Sequence, residues 1–163
     1  MLLGELKLEL HPEKTKRVDL GWGKHGIDFL GCHLRKRFSG PVWVKSRKRV
    51  YFLNRWPSMK SMKRIKQRVK GLTSKSRSHT DPRVVISELN PVLRGWGQYF
   101  RTGNASDKFS EIDKYVVWRM KRMRIHRQGR HLRPGEARRW NESYFEALGL
   151  AHLHGTIAYP EAA

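Results

Sequence analysis

The sequence predicts an α+β fold: a small antiparallel β-hairpin region at the N-terminus, then a bundle of three helices, then a short C-terminal helix. Three observations predict it. Up to Trp56-Pro57 the apolar residues alternate or form short runs between glycine-rich breaks, as strands and turns do. From Ser58 the period changes to steps of three and four, the spacing of one helix face. Three such stripes follow one another with short joins, which suits a small bundle.

Leu6, Leu8 and Leu10 alternate with Lys7 and Glu9, so a half-buried strand is expected there, with a helix stub over Leu2–Leu6 as the alternative. His11-Pro12-Glu13 interrupts, and Lys16–Leu20 can resume as a strand. The glycine-rich Gly21–Gly26 suits the turn to a second strand, Ile27–Leu34, whose apolar residues fall on both parities, as in a strand covered on both sides. Ser39-Gly40-Pro41 marks a loop, and Val50–Leu53 a further strand ending at Trp56-Pro57.

Ser58 then caps the first helix of the bundle, with Met59, Met62, Ile65, Val69 and Leu72 as its stripe. Thr73–Thr80 holds no apolar residue and is expected to be an exposed, mobile loop. Asp81-Pro82 starts a second helix and carries Val84–Leu89 into the stretch LNPVLRGWGQYFRTGN, residues 89–104. There Asn90-Pro91 has the form of a cap followed by a first helical residue. Leu89, Leu93, Trp96 and Phe100 form one face, which favours core packing for the two rings over stacking on RNA. Gly95 and Gly97 each cost a helix roughly 1 kcal/mol relative to Ala, so close approach of another backbone, at a neighbouring helix or a ligand, is expected. Gly103 suits the left-handed residue after a helix end. Ser106 is expected to cap the third helix, with the stripe Phe109, Ile112, Val116, Met120 and Met123. Trp140, Tyr144 and Leu148 predict a short helix before Gly149, and the mildly apolar tail is expected to dock as a cap.

Charge narrows the function. The 163 residues hold 35 Lys and Arg against 14 Asp and Glu, a net +21. Such an excess repels itself in a compact state and calls for a polyanion, most commonly nucleic acid; a merely solubilising surface is the bland alternative. The lone Cys32 precludes an internal disulfide and fits a reducing compartment. No apolar run approaches the ~20 residues of a membrane span. Charges at Glu5, Lys7 and Glu9 make the N-terminus a poor signal peptide. The expectation is a cytoplasmic protein with no membrane partner and no small-molecule substrate.

The run LNPVLRGWGQYFRTGNASDKFSEIDKYVVWRMKR resembles the maturase-specific region, or domain X, of group II intron reverse transcriptases. The similar features are the LNP start, the RGW…YF core, the GN break, and a following helix with Phe109, Asp113 and Tyr115. Leu8–Arg37 resembles the end of the palm of the same enzymes, and RVYFLNRWPSMKSMKRIKQRV the start of their thumb. The resemblance implies a palm end over residues 1–56, thumb or domain X helices over 57–130, and a C-terminal extension over 131–163. It implies binding of structured group II intron RNA to assist splicing. The alternatives are one chain of a split RNA-directed DNA polymerase, active only with an N-terminal partner, and an inactive remnant. A general basic DNA- or ribosome-associated protein is a further rival.

The residues also exclude chemistry. Phosphoryl transfer needs clustered carboxylates to hold divalent ions. The sequence has no adjacent acidic pair, so no catalytic residue is assigned and no polymerase activity is expected of this chain alone. No cofactor is expected, with Mg2+ entering only through bound RNA or a complete palm. His152 and His154 make at most half a zinc site, so no metal is expected, and the zinc cysteines of the HNH-type nuclease in some relatives are missing. Lys14 matches a palm lysine of the family but is read as a surface cation. Lys63, Arg64, Lys66, Lys70, Arg119, Arg122 and Arg124 are candidate RNA contacts by their density, a solvated face being the default. Arg94 and Arg101 face either phosphate or Glu88 and Asp107. Trp118 lies off its helix's stripe and is open to RNA stacking or a helix contact. Phe29-Leu30-Gly31 matches the family's primer-grip turn, or only closes a hairpin.

Overall fold

The computed structural model describes residues 18–23, 25–129, 132–133 and 135–159. The strand expected at Leu6–Leu10, Lys14, and Lys16 and Arg17 of the strand expected at Lys16–Leu20 lie outside these residues, while the described remainder of that segment, Val18 to Leu20, is not in a strand. The fold is α+β. Strands β1 (Gly26–Phe29), β2 (Cys32–Phe38) and β3 (Tyr51–Pro57) form an antiparallel sheet in the order β1-β2-β3. Helices α1 (Gly40–Ser46), α2 (Met59–Leu72), α3 (Pro82–Phe100), α4 (Ser106–Gln128) and α5 (Glu142–Ala147) complete the described elements. The chain divides into two compact units, residues 1–27 with 35–53, and residues 28–34 with 54–163.

The first unit differs from the sequence expectation at one loop. Ser39-Gly40-Pro41 opens α1, because Ser39 Oγ accepts from Val42 N and Pro41 sits in the first turn. Phe38 packs against Trp43 and Tyr51, with ring centroids 6.3 and 5.8 Å apart.

In the second unit the single strand expected over Ile27–Leu34 is instead a hairpin. Leu30 (φ 47°) and Gly31 (φ 77°) form its turn, both left-handed as a two-residue hairpin of right-handed twist requires. A leucine there costs roughly 1–2 kcal/mol. The turn is held from outside: Ser58 N and Ser61 Oγ donate to Gly31 O, and Tyr99 Oη donates to Leu30 O at 2.8 Å. The Gly21–Gly26 segment, expected to join the Lys16–Leu20 and Ile27–Leu34 strands, forms a short 3-10 turn at Gly21–Gly23.

The core of this unit joins the three long helices. Met62, Ile65 and Val69 of α2, Val85, Leu89, Leu93 and Phe100 of α3, and the whole expected stripe of α4 are buried together. Ser58 caps α2 as expected, its Oγ accepting from Ser61 N. Two expected caps are not caps. Helix α3 runs unbroken through Pro91, and Asn90 uses its side chain on the tail, donating to Gly149 O and accepting from Ala151 N. Ala105, not Ser106, precedes α4, with no side-chain cap. Gly103 is not left-handed; it is small because a Cβ there would stand 2.5 Å from Arg55 O. The close approach of a backbone expected at Gly95 and Gly97 is not found: a Cβ on Gly97 would meet a side-chain atom, Leu153 Cδ2, at 2.6 Å, and Gly95 faces open space.

The loop Thr73–Thr80 is also more ordered than expected. Thr73 and Ser78 are buried, Lys75–Arg77 forms a 3-10 turn, and Arg77 makes a two-pronged pair with Glu88 at 2.7 Å. The tail docks: Trp140, Phe145, Leu150 and Leu153 are buried in the same core.

Candidate nucleic-acid interface

The basic residues of α2 and α4 fall into two groups once the helices pack. Positions on a helix differ in direction by about 100° per residue, so neighbours in a charge run face different surroundings. Arg119, a candidate RNA contact, points inward across the α2–α4 junction. Its Nε donates to Thr73 Oγ1 at 2.9 Å, and its Nη2 to Thr73 O at 2.6 Å and Lys70 O at 3.2 Å. It therefore satisfies carbonyls at the end of α2 that lack a partner in the helix. Lys66 is tied to Glu111 at 2.6 Å, and Lys108 to the same carboxylate at 3.1 Å. These hydrogen bonds, the Lys66 one above all, hold the Glu111 carboxyl below the usual carboxylate range. Arg124 is half-buried, its guanidinium 5.5 Å from the centre of the Trp140 ring. Lys66, Arg119 and Arg124, expected at the RNA surface, are thus engaged within the protein.

The other group remains open. Lys63, Arg64, Lys70 and Arg122 are exposed, and Lys63, Arg64 and Lys70 have no side-chain partner among the described residues. Arg122 rests over Trp118, 5.1 Å from the ring centre. Trp118 is 46 % exposed and also faces Tyr115, centroid to centroid 5.8 Å. Arg94 and Arg101 line a cavity of about 290 Å3 with Gly97, Gln98 and the docked tail. Glu88 is taken by Arg77, which together with Arg68 pulls its carboxyl down, so neither arginine of that pair is neutralised by it.

Two further concave surfaces carry Arg64 and, separately, Lys70 with Arg122. A groove of about 540 Å3 is lined by the hairpin tip Leu30-Gly31, Arg64, Arg68, Trp96, Tyr99 and Phe100. Phe29 and Leu30 beside it are 60 % and 71 % exposed. A second pocket, of about 380 Å3, lies between the end of α2 and α4, where Lys70, Lys75, Arg122 and His126 converge. Arg68, Lys75 and His126 were not singled out from the sequence. Lys75 sat in the segment read as a mobile loop, and the other two were lost among many cations.

The tail brings together a further set. His152 Nε2 lies 2.8 Å from Glu146 Oε1, though off hydrogen-bond direction, and His152 Nδ1 lies 3.6 Å from Glu142 Oε1 and 3.7 Å from the buried Asp113. Glu142, Glu146 and His152 offer three ligand atoms within 4.8 Å of one another. Sequence spacing paired His152 with His154 instead; His154 N donates to Asp113. The cluster joins the tail to α4 and α5.

The family model for the group II intron maturase-specific domain matches residues 62–145, just over half of the chain. The chain belongs to that family. The match spans α2 to α5, from the start of the α2 stripe to Phe145 in the core. The maturase-specific domain is not a catalytic domain. No curated protein matches the chain. Among the described residues, no helix is long and apolar enough to cross a membrane.

Proposed function

We propose that this chain binds structured group II intron RNA and holds it in its splicing-competent fold, the RNA itself performing the transesterifications. One observation carries the reading: a maturase-specific domain whose exposed cations, on α2, α3 and α4, are left unopposed while Glu88, Glu111 and Asp113 are engaged elsewhere. Lys and Arg then meet phosphates, and Trp118 is exposed enough to stack on an unpaired base. In this reading the protein acts in the cytoplasm, needs no cofactor of its own, and does not polymerise alone, because the sequence holds no adjacent carboxylate pair.

The test is binding of cognate intron RNA and of an unrelated structured RNA across a salt series. Contact with about six to ten phosphates predicts a fall of roughly three to five powers of ten between ~50 and ~200 mM salt. Equal affinity for the two RNAs at moderate salt overturns the reading. A second reading, one chain of a split reverse transcriptase, is favoured by the hairpin tip. Phe29 and Leu30 are exposed apolar residues on a turn that the Ser61 and Tyr99 side chains and the Ser58 backbone N–H hold in place. DNA synthesis on mixing with an N-terminal palm half, absent from either alone, would establish it.

A further inference from the structure

We infer that the pocket between the end of α2 and α4 is a dedicated site for one internal phosphate of the RNA backbone. This rests on the RNA-binding reading above and says where that RNA is anchored. The pocket encloses about 380 Å3 and has no carboxylate in its wall. Lys70, Lys75 and His126 make no side-chain hydrogen bond or ion pair among the described residues. Arg122 is oriented only by the Trp118 ring, so its N–H donors stay available.

Arg119 is what makes this floor attractive to an anion. The last carbonyls of a helix carry about half a negative charge, and those of Lys70 and Thr73 belong to the end of α2 beside this pocket. The Arg119 guanidinium donates to both and cancels that charge. Arg119 is therefore a positioning residue, and Lys70, Lys75 and Arg122 are the contacts. No Phe, Tyr or Trp ring lines the pocket, and its one ring is the His126 imidazole among three flexible cationic side chains. The donors suit phosphate oxygens, and phosphate contacts fix register without reading sequence.

Free phosphate and a backbone phosphodiester share this chemistry, and the experiment separates them. Lys70→Gln/Lys75→Gln/Arg122→Gln is compared with an equal-charge control, Lys45→Gln/Arg83→Gln/Arg138→Gln, for binding of cognate intron RNA across salt. Both sets of side chains are exposed, and thermal melts confirm folding. Loss of charge-assisted bonds predicts that the pocket variant binds about tenfold to a hundredfold more weakly than the control. Its plot of log affinity against log salt should be shallower by about one unit. Millimolar inorganic phosphate should not displace the RNA from the wild-type chain. Equal affinity of the two variants, with wild-type binding intact, overturns the pocket while sparing the RNA reading. Displacement by millimolar phosphate also overturns it, in favour of a free-anion site. Failure of the wild-type chain to prefer intron RNA overturns the RNA reading itself.

Discussion

Asp113→Ala should undo the docking of the tail. The Asp113 carboxylate is only 6 % exposed, and it accepts from Leu153 N at 3.1 and 3.2 Å and from His154 N at 2.8 Å. Removing it leaves two backbone donors without an acceptor, at roughly 1–3 kcal/mol each. The tail can escape that penalty only by lifting away. Lifting exposes Leu150 and Leu153, both buried, at roughly 1.5–3 kcal/mol each. Both routes come to about 2–6 kcal/mol, and the cheaper one sets the loss, so about 2–5 kcal/mol is expected. Asp113→Asn keeps one acceptor oxygen and should lose about half as much. Urea unfolding gives the stability change, and hydrogen exchange at the Leu153 and His154 amides gives its location. Unchanged protection of those two amides in the alanine variant, or a loss below about 0.5 kcal/mol, would refute the reasoning.

Arg119→Met should cost roughly 2–3 kcal/mol in urea unfolding, because its charged hydrogen bonds to Thr73 and Lys70 join α2 to α4. Combined with Thr73→Val it should cost less than the two separately, since they share one interaction. Gly103→Ala places a Cβ 2.5 Å from Arg55 O, a rigid backbone atom that also accepts from Asn104 N, so about 1–3 kcal/mol should be lost in the same assay. Burial pushes the Cys32 thiol up, against a smaller downward pull from Arg55, so alkylation at pH 8 should be slow and should rise with urea in step with unfolding. The Glu111 carboxyl is held low in the folded state, so its pairing contributes above the ordinary carboxylate pKa of ~4.3 and is lost as pH falls through the lower folded value. Its side chain is 41 % exposed, so the contribution is under ~1 kcal/mol, and Glu111→Gln should remove that part of the acid limb.

The stripes were legible because burial on a helix repeats with the helix. Phe109, Ile112, Val116, Met120 and Met123 are all buried, as spacing alone requires. Capping was legible only where the signal is local, as at Ser58. Asn90-Pro91 carries the same local signal, yet the partners of Asn90 are Gly149 and Ala151, some sixty residues on. The hairpin turn was legible only as one of two readings of Phe29-Leu30-Gly31, and not in the strand pattern, because Leu30-Gly31 lacks the Asn-Gly or Asp-Gly form of a two-residue turn and its support comes from Ser61 and Tyr99. Arg119 and Arg122 are indistinguishable in a charge run. Three residues turn the helix by about 300°, which sends one into the α2–α4 junction and leaves the other at the surface.

The scarce acids explain how so basic a chain folds and still presents an anion site. Each engaged acid does structural work: Glu88 holds Arg77, Glu111 holds Lys66 and Lys108, Asp81 accepts at the start of α3, and Asp113 fastens the tail. None lines the pocket formed by Lys70, Lys75 and Arg122. Positive charge is therefore concentrated where folding does not consume it, at a cost in self-repulsion. A polyanion that bound the folded state alone would remove that repulsion and stabilise the fold. At a hundred times its dissociation constant it would add about 2.7 kcal/mol to stability. On the proposed function, folding and RNA binding would be coupled through the same surplus of lysine and arginine, and adding salt should weaken binding while relieving the repulsion within the free chain.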